Sequence, residues 1–289
     1  ADIKKRRSDG ACYTDRVVLW GEAVGSLGHN AGDGNAGTMN HSTAGFVLGA
    51  DAPVFNTWRV GGLVSYGRSM FDVGRRDSYG HSNNVTVGGY AGNHWGNLHL
   101  RLGATYTWDM LSIHRTAAFQ GYSSKLNSGY LGGTAQAFAD LGYRFHMGKT
   151  IVEPFGNVAY VNLHTDGFHE HGSGAALQGR GIDTGTTFTT FGVRAASAFR
   201  AGKFILSPNG SLGYRHAFGL TLPTTHEMFE SGSNDFEVAG VPLSRDAAVI
   251  DVGLNAKVTD RVDVGLSYVG QYGNRSVDSG IRGSFRWRF

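Results

Sequence analysis

From Leu98 to Met110 the chain alternates without a break. Leu98, Leu100, Leu102, Ala104, Tyr106, Trp108 and Met110 occupy one parity, and His99, Arg101, Gly103, Thr105, Thr107 and Asp109 the other. Successive side chains of a strand point to opposite faces, so this period places an apolar, aromatic-ended face against a polar one. At thirteen residues the run is about twice the usual soluble strand of roughly 5–6 residues. The pattern recurs where Ala248, Ile250, Val252, Leu254 and Ala256 alternate with Asp251, Gly253, Asn255 and Lys257. It recurs again at Val262, Val264, Leu266 and Tyr268, and in the last residues, where Ile281, Phe285, Trp287 and Phe289 alternate with Arg282, Arg286 and Arg288. A chain written this way is predicted to be all-β.

Composition narrows the class further. Glycine supplies 45 of 289 residues, and each interior helical glycine costs about 1 kcal/mol, which argues against a helical fold. Only 5 prolines and no three-residue glycine period exclude collagen. Twelve per cent aromatics and a net charge of +3 argue against disorder. Cys12 is the single cysteine, so no internal disulfide or zinc cluster can form. With 26 basic against 23 acidic residues, a nucleic-acid partner is not expected. No apolar run reaches about 18 residues, the length a membrane helix needs. The mean hydropathy of -0.22 suits a membrane barrel equally well, because only every second residue meets lipid. The start, ADIKKRRSDG, has a basic run with no apolar region behind it. No signal peptide is visible there, and the chain is expected to be a mature product or a fragment of something longer.

Strands are expected near 17–28, 41–53, 58–71, 81–95, 98–112, 129–147, 150–162, 186–201, 204–217, 244–258, 261–274 and 280–289. Every second connection is tight: Val54–Thr57, Gly96-Asn97, Gly148-Lys149, Gly202-Lys203 and Thr259-Asp260. Others are long and polar, at 29–40, 113–128, 163–185 and 218–243. Long strands with short turns at one end and long loops at the other describe a transmembrane antiparallel up-and-down β-barrel of twelve strands. A soluble β-sandwich also alternates, but its strands are shorter. In the barrel reading Arg101, Asp140, Arg144, Glu153, Arg194, Arg215, Asp251 and Arg286 share the inward parity and face the lumen. Glycines inside the strands, among them Gly45, Gly49, Gly61, Gly62, Gly88, Gly89, Gly132 and Gly133, permit curvature and close approach of neighbouring rings.

Several segments, in order, resemble the C-terminal translocator domains of autotransporters (type V secretion). They are Trp20-Gly21, GDGNAG at 32–37, HSTAGFVLGADAP at 41–53, GGYAGNHWGNLHLRLGATYTW at 88–108, EPFGNVAYVNLHTDGF at 153–168, GYRHAFG at 213–219 and the closing FRWRF. The resemblance covers nearly the whole chain from about residue 16. It implies a monomeric barrel in the outer membrane of a Gram-negative bacterium, required for export of its own N-terminal passenger to the cell surface. It also implies a linker helix that occupies the lumen, so that 1–16 is the tail of that linker and 17–289 the translocator barrel. Lys4, Lys5, Arg6 and Arg7 would then be available to lumenal carboxylates. The basic run reads equally well as a solvated end. A barrel of about twelve strands is wider than the side-chain-filled eight-stranded kind, and a helix about 10–12 Å across fits inside it. Implied partners are the passenger and linker, outer-membrane lipids, the barrel assembly machinery and periplasmic chaperones. Trp287 and Phe289 would form a C-terminal assembly signal.

Other residue groups point to chemistry of their own. His164, Asp166, His169, Glu170 and His171 lie close in sequence, a composition suited to a metal or an acid–base pair. Long polar loops have that composition anyway, and no second ligand cluster accompanies them. The same His164 and Asp166 would serve an outer-membrane protease of the omptin type, although those barrels have ten strands. GDGNAG lacks the helix or repeats of a phosphate or calcium site and reads as a turn. Gly172-Ser173-Gly174 is too short for a nucleophile elbow. Some relatives release the passenger by cyclisation of an asparagine in the lumen; residues 1–16 contain none, and Asn83-Asn84 falls inside an expected strand. No catalytic residue, cofactor or metal is therefore expected. A passive porin and an omptin-like protease are the alternative functions.

Overall fold

The computed structural model describes residues 16–55, 57–74, 77–219 and 221–289. The expected linker tail, with Lys4 to Arg7 and Cys12, lies outside the described residues but for Arg16. Among the described residues there is no helix. Twelve long strands form the wall: β1 (Val18–Asn30), β2 (Met39–Val54), β3 (Trp58–Val73), β4 (Ser78–Trp95), β5 (Leu98–Phe119), β6 (Tyr122–Tyr143), β7 (Thr150–Thr165), β8 (Ile182–Ser197), β9 (Phe204–Gly219), β10 (Asp246–Lys257), β11 (Val262–Gly273) and β12 (Ser276–Arg288). Short strands Phe145–Met147 and Phe199–Ala201 carry β6 and β8 into their turns. Each strand pairs antiparallel with its sequence neighbours, and β1 pairs with β12 from Val18 opposite Arg288 to Asn30 opposite Ser276. No barrel edge is left open, the condition for strands in lipid, where nothing else can satisfy their amide and carbonyl groups.

The alternation seen in sequence becomes an outward apolar belt. Leu254 is 45 % and Leu266 62 % exposed on the outer surface, while Leu100 and Leu102 share their strand's outward parity. At the tight-turn end the belt is edged by Trp58 and Trp95, whose rings meet edge to face at 6.4 Å, and by Tyr143 with Phe145 at 4.9 Å. Toward the other end Tyr106 and Trp108 pack 4.9 Å apart, and Tyr66, Tyr160, Tyr214 and Tyr268 project outward. Two aromatic girdles around an apolar band mark the two membrane interfaces. Inside, rings lie flat over glycines: a Cβ on Gly49 would strike Trp20, and one on Gly61 would strike Tyr90. Those strand glycines give up backbone stability to let bulky rings cross the neighbouring strand.

Three turns follow one rule. Gly96, Gly148 and Gly202 have φ of 60°, 64° and 60°, each at the first central position of a two-residue hairpin. Their successors Asn97, Lys149 and Lys203 keep negative φ, because Phe55 and Asp77 are the non-glycine residues with positive φ among those described. This is the type II′ turn, which matches the strand twist.

Two expectations need correction. The stretch 113–128 is not a loop: β5 and β6 run on to Phe119 and Tyr122 and close at Gly121, with φ of 79°. Its hydrophobic phase inverts where lipid gives way to water and protein. Below Met110 the outward residues are apolar, whereas above it Leu126, only 1 % exposed, belongs to the inward parity. The expected loops 163–185 and 218–243 are also structured in part, because Phe168–His169, Leu177–Gly179, Thr224–Phe229 and Phe236–Ala239 form a small antiparallel sheet. Above Gly132, where β7 leaves β6, the exposed edge of β6 is taken over by this segment. Asp166 N donates to Leu131 O at 2.9 Å, and Asn127 and His171 exchange backbone hydrogen bonds.

Candidate functional site: the barrel lumen

Inward parity converges charges from four adjacent strands into one layer. Asp140 on β6 faces Arg101 on β5, and Glu153 on β7 faces Arg194 on β8. Arg101 donates to Asp140 at 2.6 Å and contacts Glu153 at 2.8 Å. Arg194 donates to Asp140 at 2.6 Å and to Glu153 at 3.0 Å, and Arg144 donates to Glu153 at 2.6 Å. The carboxylates are buried, at 3 % for Asp140 and 4 % for Glu153, beneath three guanidiniums. Arg194 also stacks its guanidinium 3.6 Å from the Phe155 ring centre. Two acids under three arginines leave one excess positive charge, facing a lumenal cavity of about 300 Å³ lined by Arg101, Arg194 and Asp251 among others.

Further lumenal pairs surround that layer. Arg282 reaches Asp251 at 3.3 Å and Glu22 at 3.6 Å. Arg215 donates to Gln271 at 2.6 Å, and Arg288 pairs with Asp263. Near the tight-turn end, Trp20 donates to Tyr90 at 2.5 Å, Tyr90 donates to Asp51 at 2.7 Å, and Asp51 pairs with Arg59. Arg59 also donates to the carbonyl of Arg16 at 2.9 Å, fixing the chain where it enters the wall. Arg194 shares the inward parity expected from the sequence, whereas the lumenal contacts of Trp20, Asp51, Arg59 and Tyr90 are not expected from it. Their signal was the parity of β2 to β4, which puts Asp51 and Arg59 on the same side as Gly49 and Gly61. On β12, Arg286 is exposed, and the Trp287 and Phe289 rings lie 4.4 Å apart on the outer surface.

The HTDGFHEH stretch does not converge. His164 sits 3.7 Å from both Asp166 and Asp183, His169 pairs with Glu230 at 2.6 Å, and Glu170 turns to Arg115. Among the described residues no group of three metal-ligating side chains forms. Glu170 instead staples the small sheet: Arg115 Nε and Nη2 donate to it at 2.9 and 2.5 Å, and Leu177 N at 2.9 Å. Burial, and secondarily Glu170 itself, raise the Glu227 carboxyl above its ordinary value. In GDGNAG, Asp33 accepts from the amides of Ala36 and Asn35 at 2.8 and 3.0 Å, and those bonds hold its carboxyl below the usual range. That is an Asx-type turn, with Gly34 at φ 99°.

The sequence matches the family described as "Autotransporter beta-domain" over residues 19–269. It is 32 % identical over 284 residues to an "Extracellular serine protease" of Serratia marcescens, an alignment covering 98 % of this chain and 27 % of that protein. It is 26 % identical over 179 residues to "Serine protease EspP" of Escherichia coli, covering 60 % of this chain and 13 % of that one. The chain thus spans about a quarter or less of the length of these curated relatives. Among solved structures, the translocator domain of autotransporter NalP from Neisseria meningitidis superposes with a TM-score of 0.79 at 14 % identity, covering 96 % of this chain and 90 % of that one. The beta domain of the Bordetella autotransporter BrkA gives 0.70 at 18 % identity, with 95 % and 100 % covered, and both likenesses speak to the fold. A closed twelve-stranded barrel with a charged lumen, matched along its length by this family, places the chain among the autotransporter β-domains, barrels of the Gram-negative outer membrane.

Proposed function

We propose that this chain is the translocator of a longer autotransporter and enables an N-terminal passenger of the same polypeptide to reach the cell surface. The observation that carries the reading is the mixed-charge lumen of a closed twelve-stranded barrel in a chain of this family. Paired acids and bases projecting from the wall can hold a polar, charged segment by exchangeable ion pairs, whereas an apolar lumen would trap it and a lumen of one sign would repel half its side chains. Residues 1–16 act as the tail of the linker, and Arg16, held by Arg59, marks where it joins the wall. Proteolysis, the activity in the relatives' names, is assigned to passenger segments; the barrel itself carries no catalytic role. Arg101, Asp140, Arg144, Glu153, Arg215 and Asp251 form the lumenal guide, Trp287 and Phe289 the assembly signal, and assembly machinery and periplasmic chaperones are the partners in biogenesis.

Planar-bilayer conductance tests the reading against a porin. The chain with residues 1–16 should conduct in small, intermittent steps, and deletion of those residues should give larger, steadier ones. Equal, steady, large conductance in both forms would support the porin. Fusion of a reporter domain before Ala1 provides the positive test: surface display that depends on the barrel supports the translocator, and retention of the reporter in the periplasm overturns it.

A further inference from the structure

The two outer walls of the barrel differ in charge at the end where the long loops emerge. On the wall from β7 to β10, the outward histidines sit beside carboxylates: His164 is 3.7 Å from Asp166 and Asp183, and His216 is 2.6 Å from Asp246. On the wall from β3 to β6, Arg68, His81, His114 and Lys125 also take the outward parity. Among the described residues none of these four makes an ion pair, and the buried Nδ1 of His114 has no hydrogen-bond partner. Two acids border the patch: Asp72, which accepts from Asn40 at 3.2 Å, and the exposed Asp77 at the turn before β4.

Register arranges the four residues in order, two histidines between Arg68 and Lys125. Met70 pairs with His81, His81 with Ser112, His114 with Asn127, and Thr116 with Lys125. Each basic residue is therefore a diagonal neighbour of the next across four consecutive strands, within about 7–8 Å, a spacing long side chains bridge readily. Arg68 lies two residues beyond Tyr66 of the aromatic girdle, a step of about 7 Å along a strand. That puts it at the depth of lipid headgroups, with the rest of the row continuing away from the apolar belt. Tyr79 stacks on His114 at 4.9 Å and gives the row a flat apolar step.

We infer that the outer face of β3 to β6 is a docking surface for an outer-leaflet glycolipid whose phosphates are carried on a saccharide headgroup. Multiple anionic phosphates along a glycan complement a row that begins with a guanidinium, ends with an ammonium and carries two imidazole N–H donors between them; a neutral or zwitterionic headgroup does not. Arg supplies a planar fork for phosphate oxygens and Lys a point charge. The inference rests on the outer-membrane placement of the barrel but not on passenger export, so the two readings fail separately.

The test uses the whole chain refolded in detergent micelles, with binding of bis-phosphorylated lipid A read by native mass spectrometry. R68Q/K125Q should weaken binding roughly 30-fold, at about a fivefold loss per basic residue near an anionic surface, and H81N/H114N should weaken it less. K149Q/K203Q, in turns at the opposite end, should leave it unchanged, and R68K/K125R should retain it. Lipid A stripped of phosphate should bind like the R68Q/K125Q variant. Undiminished binding by R68Q/K125Q, equal binding of dephosphorylated lipid, or loss in K149Q/K203Q of the same size would overturn the proposal. Displacement of the lipid by millimolar inorganic phosphate would also overturn it, reducing the surface to a site for free phosphate.

Discussion

Replacing Glu153 by Gln tests the lumenal charge layer without changing its volume. In the native barrel the Glu153 carboxylate takes hydrogen bonds from Arg144 and Arg194 and an ion pair from Arg101, at 2.6, 3.0 and 2.8 Å. The amide keeps one acceptor oxygen but turns an NH₂ toward one of those donors, and three arginines are left with Asp140 alone. Removing one partner of a buried ion pair costs about 3–5 kcal/mol. The arginine side chains retain 35 %, 34 % and 17 % exposure, so lumenal water screens part of the excess charge, and the lower end, about 3 kcal/mol, is expected. E230Q is the internal reference, since His169 and Glu230 are 65 % and 37 % exposed, and it should cost under about 1 kcal/mol. Urea unfolding of barrels refolded in phospholipid vesicles, followed by tryptophan fluorescence, measures both. A double-mutant cycle adds a signature of charge balance: R194Q should cost about 1–2 kcal/mol less in the E153Q background than alone. If E153Q unfolds within 1 kcal/mol of the parent, or the cycle is additive, the layer does not stabilise the wall and the reasoning is wrong.

Three further outcomes are expected. Leu254→Arg, on the outer belt, should destabilise the vesicle-embedded barrel by about 2–4 kcal/mol; an unchanged unfolding midpoint would remove β10 from the lipid face. Glu227, its carboxyl raised above 4.5 by burial and by Glu170, binds more protons in the folded small sheet than in the unfolded segment. Stability of that sheet should therefore fall as pH rises from 4.5 through the raised value. Amide exchange at Leu177–Gly179 and Thr224–Phe229 should be slower in E227Q than in the parent at pH 7 but equal at pH 4; equal exchange at both would show that ionisation of Glu227 does not destabilise the sheet. Deleting Phe289 removes one ring packed on Trp287 and should cost refolding in detergent no more than about 1.5–3 kcal/mol. A far larger loss of assembled barrel in cells is expected from an assembly signal, and normal cellular assembly would refute it.

Most of the wall was legible because a lipid-facing strand writes its environment into every second residue. Leu98 to Met110 shows the fold at a glance, and the Gly-X pairs at Gly96, Gly148 and Gly202 mark three of the tight turns. The same rule misled at 113–128. There the strand continues but the solvent changes, so the apolar parity switches from the outer face to the inner, where Leu126 is buried. A reader following a constant phase sees the pattern stop and infers a loop. Inward charges could be collected by parity, but not their pairing: Arg194 bridging Asp140 and Glu153 depends on which strands are neighbours and in what register. The contacts of the HTDGFHEH residues were hidden for the same reason, because Arg115 and Glu230, the partners of Glu170 and His169, stand 55 and 61 residues away in the chain.

The pairing of β1 with β12 also governs when folding can finish. Val18 must wait for Arg288, and Asn30 for Ser276, so the seam joins the first strand of the barrel to its twelfth. Closing so long a loop adds little to the equilibrium cost, about 0.6 kcal/mol per doubling of length. It weighs instead on rate, since contacts between distant segments are slow to find. A chain truncated anywhere after β1 keeps a bare strand edge that a bilayer cannot accept, and no intermediate number of strands offers a resting point in lipid. The seam therefore acts as a proofreading step: a barrel lacking β12 cannot seal, and only the chain with all twelve strands becomes a pore.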